Sequence, residues 1–410
     1  MNSQEHIVIV GGGASGLAAA VFCARMLGGE RVLVLEKGPR VGKKLLATGN
    51  GTCNLSNIHA AKPYYHGDDP SFVTAALEKF SPQDAIAFFE NIGVSCTVRD
   101  NGRVYPRCEQ AGAVLDCLRL TLDQLGVTVR CGTAVTDIVK KGDGFFVKTA
   151  TDTIAADRVL LAVGGAAAPA LGGSAEGYRL ATPHRKTPLF PSIVQVKTDT
   201  AFVKAMKGLR IDAAASFVKD GTTLATHTGE VLFTEYGLSG PAVMQISRVA
   251  GQWERRKQGT LTAVLDLLPD LSRDDVMAEL RARRTLGRRG EDFLTGLLNK
   301  RIGQTVCRAA GVPLAEVTDG LSDRQLRAVC DTIKGFAFPV LGTQGFGGAQ
   351  VTAGGIATDE VDPNTMESRL IKGLYILGEA LDIDGDCGGF NLQWAWSSAY
   401  AAACAVGGAR

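Results

Sequence analysis

The chain has 410 residues, of which 45% are hydrophobic and 21% charged, and its formal net charge is +2. This length suggests two or three structural units, and the near balance of charge gives no reason to expect a nucleic-acid partner or an acidic substrate. Ten cysteines are scattered without a C-x-x-C pair, and no cysteine or histidine cluster has zinc-ligand spacing. This spacing predicts that the protein has no metal site. Because a chain of this length needs no disulfides and no basic n-region precedes the first apolar run, we predict a reduced, cytoplasmic protein with free thiols.

The first segment of the chain has the pattern of a strand, a glycine turn, a helix and a second strand. The apolar run Ile7–Val10 predicts a buried parallel strand. The Ala-rich run Ser15–Leu27 predicts a helix closed by two glycines, and Arg31–Leu35 predicts the next strand. Together these runs predict a βαβ unit.

The glycines between the first strand and the helix form G-x-G-x-x-G at Gly11, Gly13 and Gly16, and Glu36 follows Gly16 by 20 residues. In this context the pattern indicates a dinucleotide site. Gly11 permits the tight turn, Gly13 lets the backbone approach a pyrophosphate, and Gly16 lets the helix lie close to the sheet. The helix N-terminus faces the phosphates, Ser15 can add a hydroxyl donor, and Glu36 is expected to bind the ribose and repel a 2′-phosphate.

A polar, glycine-broken loop, formed by Lys43, Lys44 and Thr48–Asn54, follows the second strand. Such a loop suits a long cofactor that continues past its pyrophosphate, although by itself it is also typical of an ordinary surface loop.

The middle of the chain changes character twice. Val159–Val163 predicts another strand of the same sheet, whereas the alternating pattern over Ile193–Leu267 predicts an antiparallel β unit. From Ser272 to Lys334 the pattern is helical and charged, with Ser272 as the predicted N-cap. The basic run Arg281–Arg289 is interpreted as a solvated helix face, with a phosphate or RNA contact as the alternative.

The C-terminal segment supplies the second half of the predicted nucleotide site. Leu374–Leu377 predicts a late strand that ends in Gly378-Glu379, and Gly388-Gly389 precedes a long run without charged residues. A glycine pair lets the backbone approach a flat ring such as that of a flavin, and a helix N-terminus can direct amides at the ring edge where negative charge collects on reduction. The uncharged stretch 387–409 is interpreted as a buried helix rather than a membrane span.

These residues resemble the BaiN/YhiN-type flavoproteins, also described as the aminoacetone oxidase family of FAD-binding enzymes. The matching segments are Val8–Gly16, Lys43–Asn57, Asn101–Gln110, Gly229–Ser247, Gln350–Ser368 and Gly373–Ser398. The resemblance agrees with the pattern in its α/β fold class: a doubly wound, Rossmann-like FAD-binding domain (1–190 and 346–410), interrupted by a β-barrel-like domain (191–268 and 335–345) and a helical domain (269–334). It also implies that Val135 backs the adenine and that Asn391 and Leu392 offer backbone groups to the isoalloxazine ring.

The predicted cofactor is FAD, with NADH or NADPH possible as a transient electron donor. The residues predicted to bind it are Gly11, Gly13, Ala14, Ser15, Gly16, Glu36, Lys37, Lys43, Lys44, Gly49, Asn50, Gly51, Asn54, Val135, Gly165, Gly378, Glu379, Gly389, Phe390, Asn391 and Leu392. The chain departs from the family at Thr52, where arginine is usual, and at Gly173–Tyr178, where G-S-T-G-D-G-Y is usual. The rim of the pocket is therefore expected to differ from that of the relatives.

The resemblance implies two candidate reactions. The first is the NAD(P)H-dependent reduction of C=C bonds conjugated to a ketone in a hydrophobic 3-oxo substrate of the bile-acid or steroid type. The alternative is the oxidation of a small amine such as aminoacetone by oxygen, with release of hydrogen peroxide. A third hypothesis is a non-catalytic flavin-binding sensor or assembly protein. The expected partner is a small molecule, without nucleic acid or membrane, and no second G-x-G-x-x-G unit for NADH is present.

The sequence leaves the catalytic acid or base open. The candidates are four of the five histidines, a tyrosine that could protonate an enolate, and two cysteines in presumed flavin loops that could form a redox-active pair or act as small packing groups. These candidates are His59, His66, His184, His227, Tyr236, Cys53 and Cys387, whereas His6 opens a strand and is interpreted as structural.

Overall fold

Strands and helices together build both of the units into which the chain divides. The computed structural model describes residues 6–99 and 101–408, so our expectation about residues 1–5, the absence of a basic n-region, lies outside the described residues. The strands are β1 (Ile7–Val10), β2 (Val32–Leu35), β3 (Ser56–Asn57), β4 (Tyr65–His66), β5 (Cys96–Val98), β6 (Arg103–Pro106), β7 (Thr128–Arg130), β8 (Val135–Lys141), β9 (Gly144–Thr149), β10 (Thr153–Ala156), β11 (Arg158–Leu161), β12 (Phe190–Ser192), β13 (Val196–Thr198), β14 (Arg210–Lys219), β15 (Thr222–Phe233), β16 (Gly237–Ser239), β17 (Leu261–Asp266), β18 (Phe336–Thr343), β19 (Val351–Ala353), β20 (Leu374–Ile376) and β21 (Asp384–Gly385). The α-helices are α1 (Ala14–Leu27), α2 (Val73–Lys79), α3 (Pro82–Asn91), α4 (Ala111–Gln124), α5 (Pro241–Ile246), α6 (Arg248–Arg256), α7 (Arg273–Arg284), α8 (Lys300–Ala309), α9 (Asp323–Lys334), α10 (Gly345–Gly348) and α11 (Phe390–Val406).

A five-stranded parallel sheet in the order β20-β11-β1-β2-β7 forms the centre of the first unit. Its strand β1 is buried along its whole length, because it lies between two neighbours in the sheet and carries only Ile and Val. The strands run parallel, so the segments that follow β1, β2, β11 and β20 all leave the sheet at the same edge. In α/β sheets this carboxyl edge is where ligands bind.

The fold class predicted from the sequence is confirmed: a Rossmann-type parallel sheet occurs in the same chain as a closed barrel and a set of helices. The four strands predicted for the sheet are present, and their ends differ from the predicted ones by at most two residues. The first helix begins at Ala14 rather than Ser15.

The chain divides into two units, Met1–Phe190 with Gln350–Arg410, and Pro191–Ala349. The second unit contains a closed, antiparallel six-stranded barrel, β13-β16-β15-β14-β17-β18. The antiparallel interpretation of Ile193–Leu267 was incomplete, because two helices, α5 and α6, interrupt that stretch after Pro241. The exact division into three domains stays a prediction.

The helices α7, α8 and α9 lie between the barrel strands β17 and β18 in sequence. Ser272 is the N-cap of α7, as predicted: its hydroxyl accepts a hydrogen bond from the amide of Asp275 at 3.1 Å, and the Asp275 carboxylate accepts one from the Ser272 amide at 3.1 Å. This capping box satisfies two amides at the helix start that have no partner within the helix.

The uncharged C-terminal stretch forms α11, a largely buried helix, as predicted. Two fully buried tryptophans fix its position: the indole N–H of Trp394 donates to the carbonyl of Gly378 at 3.0 Å, and that of Trp396 donates to the carbonyl of Leu55 at 2.8 Å. Within the described ranges, none of the helices combines the length and the apolar character that a membrane crossing requires.

Replacing Trp396 with alanine is expected to lower the free energy of unfolding by about 3–5 kcal/mol, because it leaves a large cavity and an unpaired carbonyl at Leu55. Trp253 is the matched control: its indole also donates to a carbonyl, that of Gly259 at 3.1 Å, but the side chain is only partly buried. The urea midpoint of each variant, followed by circular dichroism, measures the difference. Equal losses for Trp396→Ala and Trp253→Ala would contradict the anchoring role of Trp396.

Candidate cofactor site

The glycine turn joins β1 to α1 at the carboxyl edge of the sheet. At Gly11 (φ +110°) a Cβ would lie 2.3 Å from the carbonyl oxygen of Ala162, and at Gly16 it would lie 1.9 Å from that of Gly11. Both positions therefore exclude any side chain. At Gly13, in contrast, no protein atom lies within 4 Å of a built Cβ, so the backbone faces open space. This is the arrangement that a pyrophosphate group requires at the start of a helix.

Glu36 follows β2 and turns its carboxylate toward the glycine turn. One carboxylate oxygen accepts a hydrogen bond from the amide of Gly12 at 2.8 Å, and the other accepts one from the amide of Gly38 at 2.6 Å. Two backbone amides thus hold a partly buried negative charge beside the turn. This position is compatible with the predicted ribose contact.

An ion pair connects two segments that are 335 residues apart in the chain. The ammonium group of Lys44 lies 2.7 Å from one carboxylate oxygen of Glu379, and the other oxygen accepts a hydrogen bond from the amide of Thr352 at 2.8 Å. A Cβ at Gly165 would lie 2.4 Å from the Thr352 hydroxyl and 2.8 Å from the Glu379 carboxylate. The four segments that contain Lys44, Gly165, Thr352 and Glu379 therefore meet here. Only glycine fits at position 165.

Thr352 is a residue that the sequence analysis did not select. Its hydroxyl accepts a hydrogen bond from the amide of Ala167 at 2.9 Å, so it holds the loop after β11 as well as Glu379. The segment Gln350–Ser368 carried part of the family resemblance, and that was the signal that could have identified it.

The loop after β2 has an unusual backbone. Gly49, Asn50, Gly51 and Cys53 all have positive φ, between +54° and +90°. Asn54 ends this loop, and its Oδ1 atom is buried with no hydrogen-bond partner among the described residues. The same atom lies 2.8 Å from a Cβ built at Gly389, so the loop reaches the start of α11.

The start of α11 is held by its own side chains and by the strand β3. A Cβ at Gly389 (φ +102°) would lie 2.2 Å from the carbonyl oxygen of Ser56, so glycine is required there. The Asn391 side chain accepts from the amide of Gly385 at 2.8 Å and donates to the carbonyls of Gly385 at 2.7 Å and Asp386 at 3.2 Å. The Asn391 side chain is thus engaged within this loop, and the contact of its backbone with the isoalloxazine ring stays a prediction.

Two buried polar atoms close to these segments have no hydrogen-bond partner among the described residues: Oδ1 of Asn54 and the hydroxyl of Tyr178. Burial raises the pKa of Tyr178, and the carboxylates of Glu379 and Asp382 raise it further, so the hydroxyl remains a neutral donor. A buried polar group without a partner is costly. These two atoms and the open space at Gly13 fit a bound dinucleotide with polar groups along its length.

The remaining predicted cofactor residues occupy different positions. Ala14 begins α1, while Val135 begins β8 and is partly buried against the core of the first unit. Lys37 and Lys43 are exposed. At the start of α11, the Phe390 ring is buried and stacked on Tyr64 at 4.5 Å, and Leu392 is partly buried. Contacts from these residues to FAD stay predictions.

The two cysteines in the presumed flavin loops are poor thiolates. Burial raises the pKa of the Cys53 thiol to about 12, and it also raises that of Cys387, against the opposing effect of the Arg103 guanidinium. Since the thiolate is the reactive form, the structure favours packing roles over a redox-active pair. All ten cysteines are free thiols.

The other candidate acids and bases separate by position. His227 and Tyr236 belong to the second unit, and His6 precedes β1 at the end of the sheet away from the glycine turn. The ring of His184 is buried, with one nitrogen at the carbonyl of Ala181 and the other 2.7 Å from the Ser368 hydroxyl. His59 is exposed.

His66 differs from the other four histidines. Its Nε2 atom lies 2.7 Å from a carboxylate oxygen of Asp386, in the loop that leads to α11. No sequence spacing connects these two residues, which are 320 positions apart, and the sequence analysis did not pair them. Among the described residues, no group of three histidine, cysteine or acidic side chains could hold a metal ion.

Comparison with known proteins identifies a family over nearly the whole chain. The model of the HI0933-like protein Rossmann domain matches residues 5–405. The chain is 37% identical to a 3-dehydro-bile acid delta(4,6)-reductase of Clostridium scindens, over 97% of this chain and 98% of that protein. It is 30% identical to a ribosomal RNA dihydrouridine synthase of Escherichia coli, over 97% of this chain and 96% of that protein.

Among solved structures, a 3-ketosteroid delta1-dehydrogenase from Sterolibacterium denitrificans, in complex with 1,4-androstadiene-3,17-dione, is similar with a TM-score of 0.52. It shares 13% sequence identity, and the match covers 99% of this chain and 100% of that one. At this identity the likeness shows the shared fold.

The open space at Gly13 allows a substitution that is expected to change FAD affinity without changing the stability of the fold. Gly13→Ala is expected to keep the urea midpoint of the wild type, because the new methyl group meets no protein atom, and to weaken FAD binding at least about tenfold, or roughly 1.4 kcal/mol. Gly112→Ala is the matched control, since a Cβ there also meets nothing within 4 Å. FAD fluorescence titration of the apoprotein measures both. An unchanged FAD affinity in Gly13→Ala would place the cofactor elsewhere.

The raised pKa of the Cys53 thiol predicts that thiol reagents do not modify this residue in the folded protein. At pH 8, roughly one in 10⁴ Cys53 thiols is deprotonated if the pKa is about 12, so a thiol reagent should leave Cys53 unmodified. The exposed Cys108 and Cys131 are the internal controls and should react rapidly. Peptide mapping by mass spectrometry measures each site. Labelling of Cys53 at the rate of Cys108 in the folded protein would refute its assignment as a buried, protonated thiol.

Proposed function

The chain belongs to the HI0933-like Rossmann-domain family of flavoproteins and is an FAD-dependent oxidoreductase; we propose that it reduces carbon–carbon double bonds conjugated to a ketone. The proposed substrate is a hydrophobic 3-oxo compound of the bile-acid or steroid type, and the proposed electron donor is NADH or NADPH.

The observation that carries this proposal is the 37% identity to a 3-dehydro-bile acid delta(4,6)-reductase over almost the full length of both chains. The ribosomal RNA dihydrouridine synthase supports the reaction class independently. The C=C bond that is lost when uridine becomes dihydrouridine is also conjugated to a carbonyl group. The names of both relatives therefore describe one type of reduction on two kinds of substrate.

When bound, FAD would supply the hydride for this reduction. The protein residues would position it: the glycine turn and the N-terminus of α1 at the pyrophosphate, Glu36 at the ribose, and the Lys44–Glu379 pair further along the cofactor. The amides that donate to Glu36 and Glu379 hold both carboxylates in place before a ligand arrives.

The contacts of the basic run support a small-molecule substrate over RNA. Arg281 and Arg284 both pair with Asp323, at 3.3 and 3.2 Å, and Arg283 pairs with Glu279 at 2.8 Å. Arg288 donates to the carbonyl of Thr295 at 3.5 Å. Four of the five arginines from 281 to 289 are thus engaged within the protein, and phosphate binding would compete with these contacts.

The test is anaerobic absorbance spectroscopy of the purified flavoprotein. We expect NADH or NADPH to bleach the flavin, and a 3-oxo-4,6-diene bile acid to restore its colour with formation of the reduced product. The saturated 3-oxo bile acid is the control, because it has no conjugated double bond and should not reoxidise the flavin.

Each competing function predicts a different result of the same experiment. Reoxidation by a uridine-containing ribosomal RNA fragment, but not by the diene, would favour the RNA substrate. Bleaching by aminoacetone, followed by peroxide formation with oxygen, would favour the oxidase. If neither nicotinamide nucleotide bleaches the flavin, the proposed donor is wrong.

A further inference from the structure

We propose that His66 is the proton donor of the reduction and that Asp386 positions its ring; this inference rests on the proposed function. Reduction of a conjugated C=C bond adds a hydride to the carbon distant from the ketone and a proton to the carbon next to it. Since the reduced cofactor would supply only the hydride, a protein group or water must supply the proton. The required group lies beside the flavin ring and exchanges protons with solvent.

His66 ends β4, and Asp386 directly follows β21, the strand that pairs with β4. In the antiparallel pair of β4 and β21, His66 lies opposite Asp384 and Tyr65 lies opposite Gly385. Asp386 is therefore the diagonal neighbour of His66 on the same face, within reach of a side-chain contact. The Asp386 amide donates to the carbonyl of Tyr64 at 2.9 Å, which extends the strand pairing to the carboxylate itself.

The surroundings hold this pair against the predicted position of the flavin ring. The Tyr64 ring stacks on Phe390, the first residue of α11, at 4.5 Å and with 10° between the planes. From the other side, the Asn391 side chain donates to the carbonyl of Asp386 at 3.2 Å. The first contact ties the His66 strand to the start of α11, and the second ties Asp386 to the same helix start.

The contact with Asp386 determines which ring nitrogen is available. A carboxylate can only accept, so the Nε2–H group of His66 donates to Asp386, and Nδ1 has no partner among the described residues. In the protonated ring, Nδ1–H is then the proton to be transferred. The transfer leaves the neutral Nε2–H form, which Asp386 continues to hold.

The proposed reduction conserves atoms and electrons. The hydride forms one C–H bond, the π bond breaks, and the Nδ1–H bond of His66 breaks as its proton forms the second C–H bond. The substrate is reduced, the flavin is oxidised, and the imidazole regains a proton from solvent, which it reaches because 35% of its side-chain surface is exposed.

Neighbouring groups that could compete are less suited. Burial raises the pKa of both Tyr65 and Tyr178, and the Tyr65 hydroxyl already donates to the carbonyl of Phe390 at 3.0 Å. Both ring nitrogens of His184 are engaged, and His59 has no carboxylate partner among the described residues. His66 is thus the histidine whose partner fixes its tautomer while one nitrogen stays open.

Other charged groups surround the pair. Asp384 lies on the facing strand, and Asp68 lies two residues beyond His66, where its amide donates to the buried Asp382 at 3.1 Å. Arg103 lies on the other side of the loop, where its charge acts on Cys387.

The test separates the two halves of turnover in the FAD-loaded protein. His66→Gln is expected to slow flavin reoxidation by the 3-oxo-4,6-diene bile acid about 10²–10³-fold, while bleaching by the nicotinamide donor stays within about twofold of wild type. His227→Gln, an exposed histidine of the second unit, is the matched control and should change neither rate. FAD fluorescence titration should give the same affinity for all three proteins.

Asp386→Asn tests the positioning role by a readout that does not depend on turnover. In ¹⁵N-histidine NMR spectra, wild-type His66 should be the Nε2–H form when neutral, and the variant should lose that preference, with slowed reoxidation. A His66→Gln protein that is reoxidised at the wild-type rate, or a wild-type His66 in the Nδ1–H form, overturns the inference. If the wild-type flavin itself is not reoxidised by the diene, the proposed function fails, and the inference fails with it.

Discussion

The structure of the first unit depends on the return of the late strand β20 to the sheet that contains β1. β20 pairs with β11, which pairs with β1, so residues from both ends of the chain leave one sheet at the same edge. Parallel strands place their carboxyl ends together whatever their distance in sequence. The glycine turn, Glu379 and the loop before α11 therefore become neighbours, and the buried indoles of Trp394 and Trp396 keep the returning helix in place.

The candidate site is organised by contacts that exist without a ligand. Backbone amides hold Glu36 and Glu379, Lys44 neutralises the second of these carboxylates, and the Asn391 side chain shapes the loop before α11. Groups that are fixed in advance need no reorganisation when a cofactor binds, which preserves binding free energy. Asn54 and Tyr178 are exceptions, because each keeps a buried polar atom that has no hydrogen-bond partner within the described part of the chain.

The sequence predicted those features of the site and of the fold whose interacting residues are close together in the chain. Gly11, Gly13 and Gly16 have a fixed spacing that follows from the turn itself, and Ser272 could be identified as an N-cap because its partner is three residues away. Residues that are far apart in the chain contact each other at no fixed sequence separation, so no pattern in the sequence predicts these contacts. The pairs Lys44–Glu379 and His66–Asp386 depend on strand order and register, and the helices α5 and α6 depend on packing within the second unit.

The groups around the start of α11 differ in their access to solvent, and this difference bears on the reaction. Cys53, Tyr65 and Tyr178 are buried, so their pKa values are raised and they retain their protons at neutral pH. A proton donor must be reloaded after every turnover, which a sealed group does slowly. His66 is partly exposed and is aligned by a carboxylate that belongs to the same loop as the predicted ring contacts. A partly exposed histidine thus lies near groups that burial keeps protonated, and this combination suits the proposed reduction, which consumes one proton for each hydride.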